Sequence, residues 1–288
     1  MKSICIKTNK FKSIDYLLMQ LEKIDIPNIY YSHLKFSNYN NIIIHYSELK
    51  RELLFKKLSD IFANLVISIY EPTFIKKIIS HEYFYFDDYE RTKIFENTTK
   101  LLEEDLLVIR KTLLYNKFYS YMLDNKKIIL DGFIPFRIQD YLKYLVKKVD
   151  ISVNKFLIDR EYSEFISILK LYVDTEPSTV NTVHLVYSES RATLLDEYKH
   201  IIKTDNSIFN AKYLSDITFS ANDYALNTLL SILPKKIYIH LIDNTIDEFI
   251  HTLELIFEKR IKFCNDCDIC NLFYKKNIKN FQNKNTNF

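Results

Sequence analysis

Glycine is almost missing from this chain: Gly132 stands alone among 288 residues. Phosphate cradles and nucleophile elbows need backbone at positive φ or pressed against a ligand, which glycine permits most cheaply. A Walker loop, a G-x-G-x-x-G dinucleotide fingerprint and a G-x-S-x-G elbow each need two or more glycines, so none exists here. ATPase, kinase, dinucleotide-binding dehydrogenase and α/β-hydrolase readings fall on that ground. Long apolar runs are also lacking. The longest, IFANLVISIY at 61–70, is interrupted by Asn64 and falls well short of the roughly 18 residues of a membrane-spanning helix. The opening MKSICIKTNK has no apolar signal core. The expectation is a cytoplasmic protein with no membrane partner, its thiols in a reducing compartment.

Charge of one sign is scarce as well. Forty Lys and Arg meet 37 Asp and Glu, for a net charge of +3. The lysine pairs Lys56 and Lys57, Lys76 and Lys77, and Lys147 and Lys148 are dispersed among acids. They read as solvated faces, which argues against nucleic acid as a partner. Hydrophobic residues make up 48% of the chain, ample for a core in one or two domains.

What is present alternates in period. Residues 1–46 read as a small αβ segment: a strand SICIKT, an amphipathic helix through Ile14, Leu17, Leu18 and Leu21, then strands at YYSHLKF and NIIIHY. Residues 47–176 read as a helical region. Leu54, Leu58, Ile61, Leu65 and Ile69 mark one stripe that Pro72 should end or kink. A second helix is expected from Tyr89 to Leu123 with Ile94, Thr98, Leu101, Ile109 and Leu113 near one face, followed by a turn at Asp131-Gly132. A third spans Ile138 to Val173.

From 177 to 270 the pattern is a C-terminal α/β unit with a short, partly parallel sheet. TVHLVY, KIYIH (236–240) and RIKF read as strands, and Ser220 with Asp223, and Thr245 with Glu248, as helix-opening capping boxes. Residues 271–288 read as a flexible tail rich in Asn and Lys. The fold class is therefore α+β.

Cysteine is rare, yet three of the four fall within seven residues: Cys264, Cys267 and Cys270 in FCNDCDIC. Three thiolates at C-x-x-C-x-x-C spacing on one turn can close around one metal centre. With β-strands ending at His240 and at Cys264 as parallel neighbours, His240 becomes the candidate fourth ligand of a tetrahedral zinc site, and Cys5 its competitor. An iron-sulfur cluster is the alternative cofactor, although the closing Cys-Pro element of the ferredoxin run is absent. Thiol redox chemistry is a third reading, weakened by Asp266 and Asp268, which disfavour a low thiol pKa. HEYFYFDDYE begins like a zincin helix, but Tyr85 holds the place of the second histidine, so it reads as a solvated acidic helix start. No residue is singled out as catalytic.

The segments GFIPFRIQDYLKYLVKKVD, EYSEFISILKLY, LNTLLSILPKKIYIH and RIKFCNDCDIC, in that order, resemble the YtxC-like sporulation proteins of endospore-forming bacteria. The resemblance runs from about Asp131 to Cys270. It implies a cytosolic protein of a spore-former with no established activity, and it supplies no catalytic residue. The function expected is a binding or regulatory role in which metal orders the C-terminal loop and a protein partner docks on the helical region, rather than catalysis.

Overall fold

The computed structural model describes residues 1–202, 220–264 and 266–273. The chain is an α+β protein in two compact units, Met1–Asp159 and the residues from Arg160 onward.

The first unit opens with β1 (Lys2–Thr8), α1 (Phe11–Leu21), β2 (Tyr30–Lys35) and β3 (Asn40–Tyr46). Next come α2 (Arg51–Leu65), a π-helical turn (Val66–Tyr70) and α3 (Glu71–Glu82). Then α4 (Asp88–Glu104), α5 (Leu107–Asp124), β4 (Lys127–Ile129) and α6 (Leu130–Arg137) lead into α7 (Gln139–Thr175), which carries the division between units. The sheet order is β2-β3-β1-β4, with β1 antiparallel to β3 and parallel to β4. Alternation along β1 and β3 turns Ile4, Ile6, Ile42 and Ile44 into a core shared with Leu54, Leu58, Phe62 and Phe118.

Three expectations for this half are corrected. Pro72 does not end the helix. The backbone stays helical through a wider π turn at Val66–Tyr70, and α3 runs on past Pro72 to Glu82. The helix expected over Tyr89–Leu123 is two helices. Asp105 is extended at the break, held by Lys148 Nζ at 2.6 Å and by the Tyr144 hydroxyl. The break shifts the helical phase: α4 buries Ile94, Thr98 and Leu102, and α5 restarts on Arg110, Leu114, Phe118 and Met122, leaving Ile109 exposed. Asp131-Gly132 is not a turn but the start of α6, where Asp131 accepts from Thr8 Oγ1 at 3.0 Å and from the Asn9 N–H at 2.8 Å.

Inside this unit the buried acid Glu71 accepts from Arg110 Nη1 at 2.7 Å and from the Tyr141 hydroxyl. Two opposite charges and a phenol thus meet away from water, with Arg110 Nε left buried and unpartnered among the described residues.

The second unit contains β5 (Val180–Ser188), β6 (Arg191–Leu195), α8 (Ala221–Ile232), β7 (Pro234–Leu241), α9 (Glu248–Phe257) and β8 (Ile261–Phe263). Its sheet runs β6-β5-β7-β8, antiparallel at β5–β6 and parallel at β5–β7 and β7–β8, as the strand, helix, strand succession implied. Ser220 and Asp223 form the expected capping box of α8. The box expected at Thr245 and Glu248 is absent. Asp247 caps α9 instead, accepting from the N–H groups of Phe249 and Ile250 at 3.1 and 3.2 Å. The shorter Asp side chain one residue before the helix reaches these donors, whereas Thr245 turns back to the Asp243 carbonyl. Arg260 ties the layer together, with Nη1 donating to Ser178 Oγ at 3.0 Å and to the Pro234 carbonyl at 3.1 Å. Residues 271–273 are helical, and the rest of the expected tail lies outside the described residues.

Candidate metal centre

Strand alternation gives the second sheet two different faces. Val183, Leu185, Ile237 and Ile239 point to the main core, with Leu229 of α8 and Ile250, Leu253 and Phe257 of α9. His184, Val186, Tyr238 and His240 fall on the other face, by the register His184↔Tyr238 and Val186↔His240. β8 joins β7 through Ile239↔Phe263, and the Cys264 N–H donates to the Ile239 carbonyl at 2.9 Å. Pairing therefore runs one residue past β8 and sets Cys264 beside His240. The chain then turns into the helical stretch 268–273, opened by a bond from the Asn271 N–H to the Cys267 carbonyl at 3.0 Å. Cys267 stands before that first turn and Cys270 within it. Val186, Leu195, Ile242 and Ile269 pack around the cysteines as a small separate cluster.

The result is convergence. His240 Nδ1 stands 3.4 Å from the Sγ atoms of both Cys267 and Cys270. The Cys267 and Cys270 sulfurs are 3.8 Å apart, those of Cys270 and Cys264 4.0 Å. One ligand atom from each of the four residues lies within 4.8 Å of all the others. A tetrahedral ion with bonds of about 2.3 Å to sulfur and about 2.0 Å to nitrogen sets S···S edges of about 3.8 Å and N···S edges of about 3.5 Å. The donor set fits a single metal ion.

Burial shapes the protonation of these donors. It pushes the His240 imidazole down to about 4, with His184 adding to the effect, so at neutral pH the ring carries a lone pair for a metal. It pushes the Cys270 thiol up to about 12, helped by the neighbouring thiols, and raises Cys264 as well. Burial also acts to raise Cys267. Backbone N–H bonds from Cys270 and Ile269 and the hydrogen bond from Cys264 outweigh it, and Cys267 is lowered. Metal binding must therefore expel thiol protons, as thiolate sites do.

All four residues singled out in the sequence, Cys264, Cys267, Cys270 and His240, meet here. Cys5, the competing ligand, lies in β1 of the first unit opposite Ile43 and is not part of the group. His184 was missed: its Nδ1 is 3.0 Å from His240 Nε2, a contact that depends on strand register and leaves no spacing signal. The zincin-like run holds the expected acidic helix start, with Asp87 capping α4 reciprocally with Glu90, but its first residues, His81 and Glu82, belong to the last turn of α3. Among the lysine pairs, Lys56 bonds Glu52 at 2.6 Å and Lys148 bonds Asp105 at 2.6 Å. No described helix is long and apolar enough to cross a membrane.

Residues 56–262 match the family model described as the YtxC-like family. The chain is also similar to the uncharacterized protein YtxC of Bacillus subtilis, 20% identical over 214 residues covering 71% of this chain and 75% of the relative. No solved structure matches. The matched stretch starts in α2, far earlier than the resemblance read from sequence, and stops two residues before Cys264. His240 lies inside it and the three cysteines outside.

Proposed function

We propose that this chain, which belongs to the YtxC-like family, holds one zinc ion on Cys264, Cys267, Cys270 and His240, and that the ion serves a structural or regulatory binding role. The observation that carries the reading is the match between the donor separations, 3.8 Å for S···S and 3.4 Å for N···S, and the edges of a tetrahedral site. A four-iron cluster spreads its thiolates over the corners of a cube, one per iron, and needs them further apart than four donors gathered within 4.8 Å. All four positions are filled by protein, which suits a closed structural centre and leaves no open position for substrate. The ion pins the turn after β8 onto the sheet and gives that edge one defined shape for a protein partner. The setting we propose for this role is the cytoplasm of a spore-forming cell, in sporulation.

Metal analysis of protein purified without oxygen tests this. The expected result is one zinc per chain in a colourless protein, lost in Cys267→Ser. Equally low metal in wild type and variant, or a brown protein holding iron and sulfide, overturns it.

A further inference from the structure

We infer that His184 is a positioning residue of this centre: it holds the His240 ring so that Nδ1 faces the ion and Nε2 keeps its proton. The inference rests on the metal reading above and adds a fifth residue to it, from a third strand. A neutral imidazole has one lone pair and one N–H. His240 turns Nδ1 toward two thiols, 3.4 Å from each, and Nε2 toward His184 Nδ1 at 3.0 Å. If the lone pair at Nδ1 binds the ion, the proton is on Nε2 and His184 Nδ1 must accept it, which places the proton of His184 on its own Nε2. His240 is only 2% exposed with the His184 ring in place, so that ring rather than water is the acceptor at Nε2.

The fold fixes this arrangement. Parallel pairing sets Val186 opposite His240, so His184 lies on the same face one pleat away. Its ring stacks on Tyr238, with centroids 5.4 Å apart and planes 23° apart. Metal-bound histidines generally hand their second N–H to a fixed acceptor, and loss of that acceptor costs about 10–100-fold in metal affinity.

Two measurements on the full chain test the inference. In nitrogen-15-labelled wild-type protein loaded with one equivalent of cadmium-113, coupling to the metal is expected at His240 Nδ1, with a slowly exchanging proton at Nε2. Zinc affinity, read by competition with a chromophoric chelator, is expected to fall about 10–100-fold in His184→Phe with one-to-one stoichiometry kept. That variant keeps a ring over Tyr238 and removes the acceptor. His184→Gln, whose side-chain oxygen can accept, should recover most of the loss. Coupling at Nε2, or equal zinc affinity in His184→Phe and wild type, overturns the inference alone. Absence of metal uptake by the wild type overturns the metal reading and this one with it. The cadmium measurement needs no variant, so a misfolded His184→Phe leaves the question decidable.

Discussion

Each unit buries polar groups, but they are of opposite kinds. In the first, Glu71 is paired with the Arg110 guanidinium and accepts from the Tyr141 hydroxyl, so charge meets charge within the protein, although Arg110 Nε stays buried without a partner among the described residues. In the second, three sulfurs and an imidazole nitrogen crowd a common point with only weak bonds to one another. One group is held by charges within the protein; the other is a set of donors that could hold an ion.

The largest test of that contrast is removal of the ion. Structural zinc contributes about 10–16 kcal/mol of apparent binding energy in small domains. Chelation should therefore sharply increase amide exchange in β7, β8 and the 268–273 helix while α2 and α5 keep their protection. Equal loosening of both units would erase the distinction. Next in size, Glu71→Gln strands the Arg110 charge and should cost about 3–5 kcal/mol in chemical denaturation, with zinc uptake unchanged.

A third test uses pH. Cys264 and Cys270 have raised pKa values and are protonated at neutral pH, so binding releases their protons, and acid favours the metal-free form. Zinc affinity should rise with pH, by about 1.4 kcal/mol per pH unit for each proton released. His240, at about 4, is already neutral at pH 7 and contributes no proton there. Titration calorimetry in buffers of different ionisation enthalpy counts those protons, and a count of zero would contradict the sign.

The smallest effect runs the other way. With one glycine in the chain, Glu189 and Ser190 adopt left-handed backbone, φ 50° and 56°, between β5 and β6. Glu189→Gly relieves that strain at some cost in chain entropy and should stabilise the second unit by about 0.5 kcal/mol in denaturant titration.

Much of this was legible in the sequence because it is local. The C-x-x-C-x-x-C spacing, the Ser220 cap and the strand, helix, strand period all act over a few residues. His240 could be named because strand ends gather at one edge of a parallel sheet. His184 could not, since the β5–β7 register is set by packing between residues 56 positions apart. The break at Asp105 escaped for a related reason: Lys148 and Tyr144, far along the chain, hold it open.

His240 and Cys270 lie 30 positions apart, with α9 and β8 between them. The four donors are thus together only once that whole excursion has docked, so the proposed ion would bind after this part of the sheet has formed. A chain cut between His240 and Cys264 would keep the imidazole on β7, still paired to β5, but none of the three thiols. Occupancy of the centre is in that sense a mark of a finished C-terminal half.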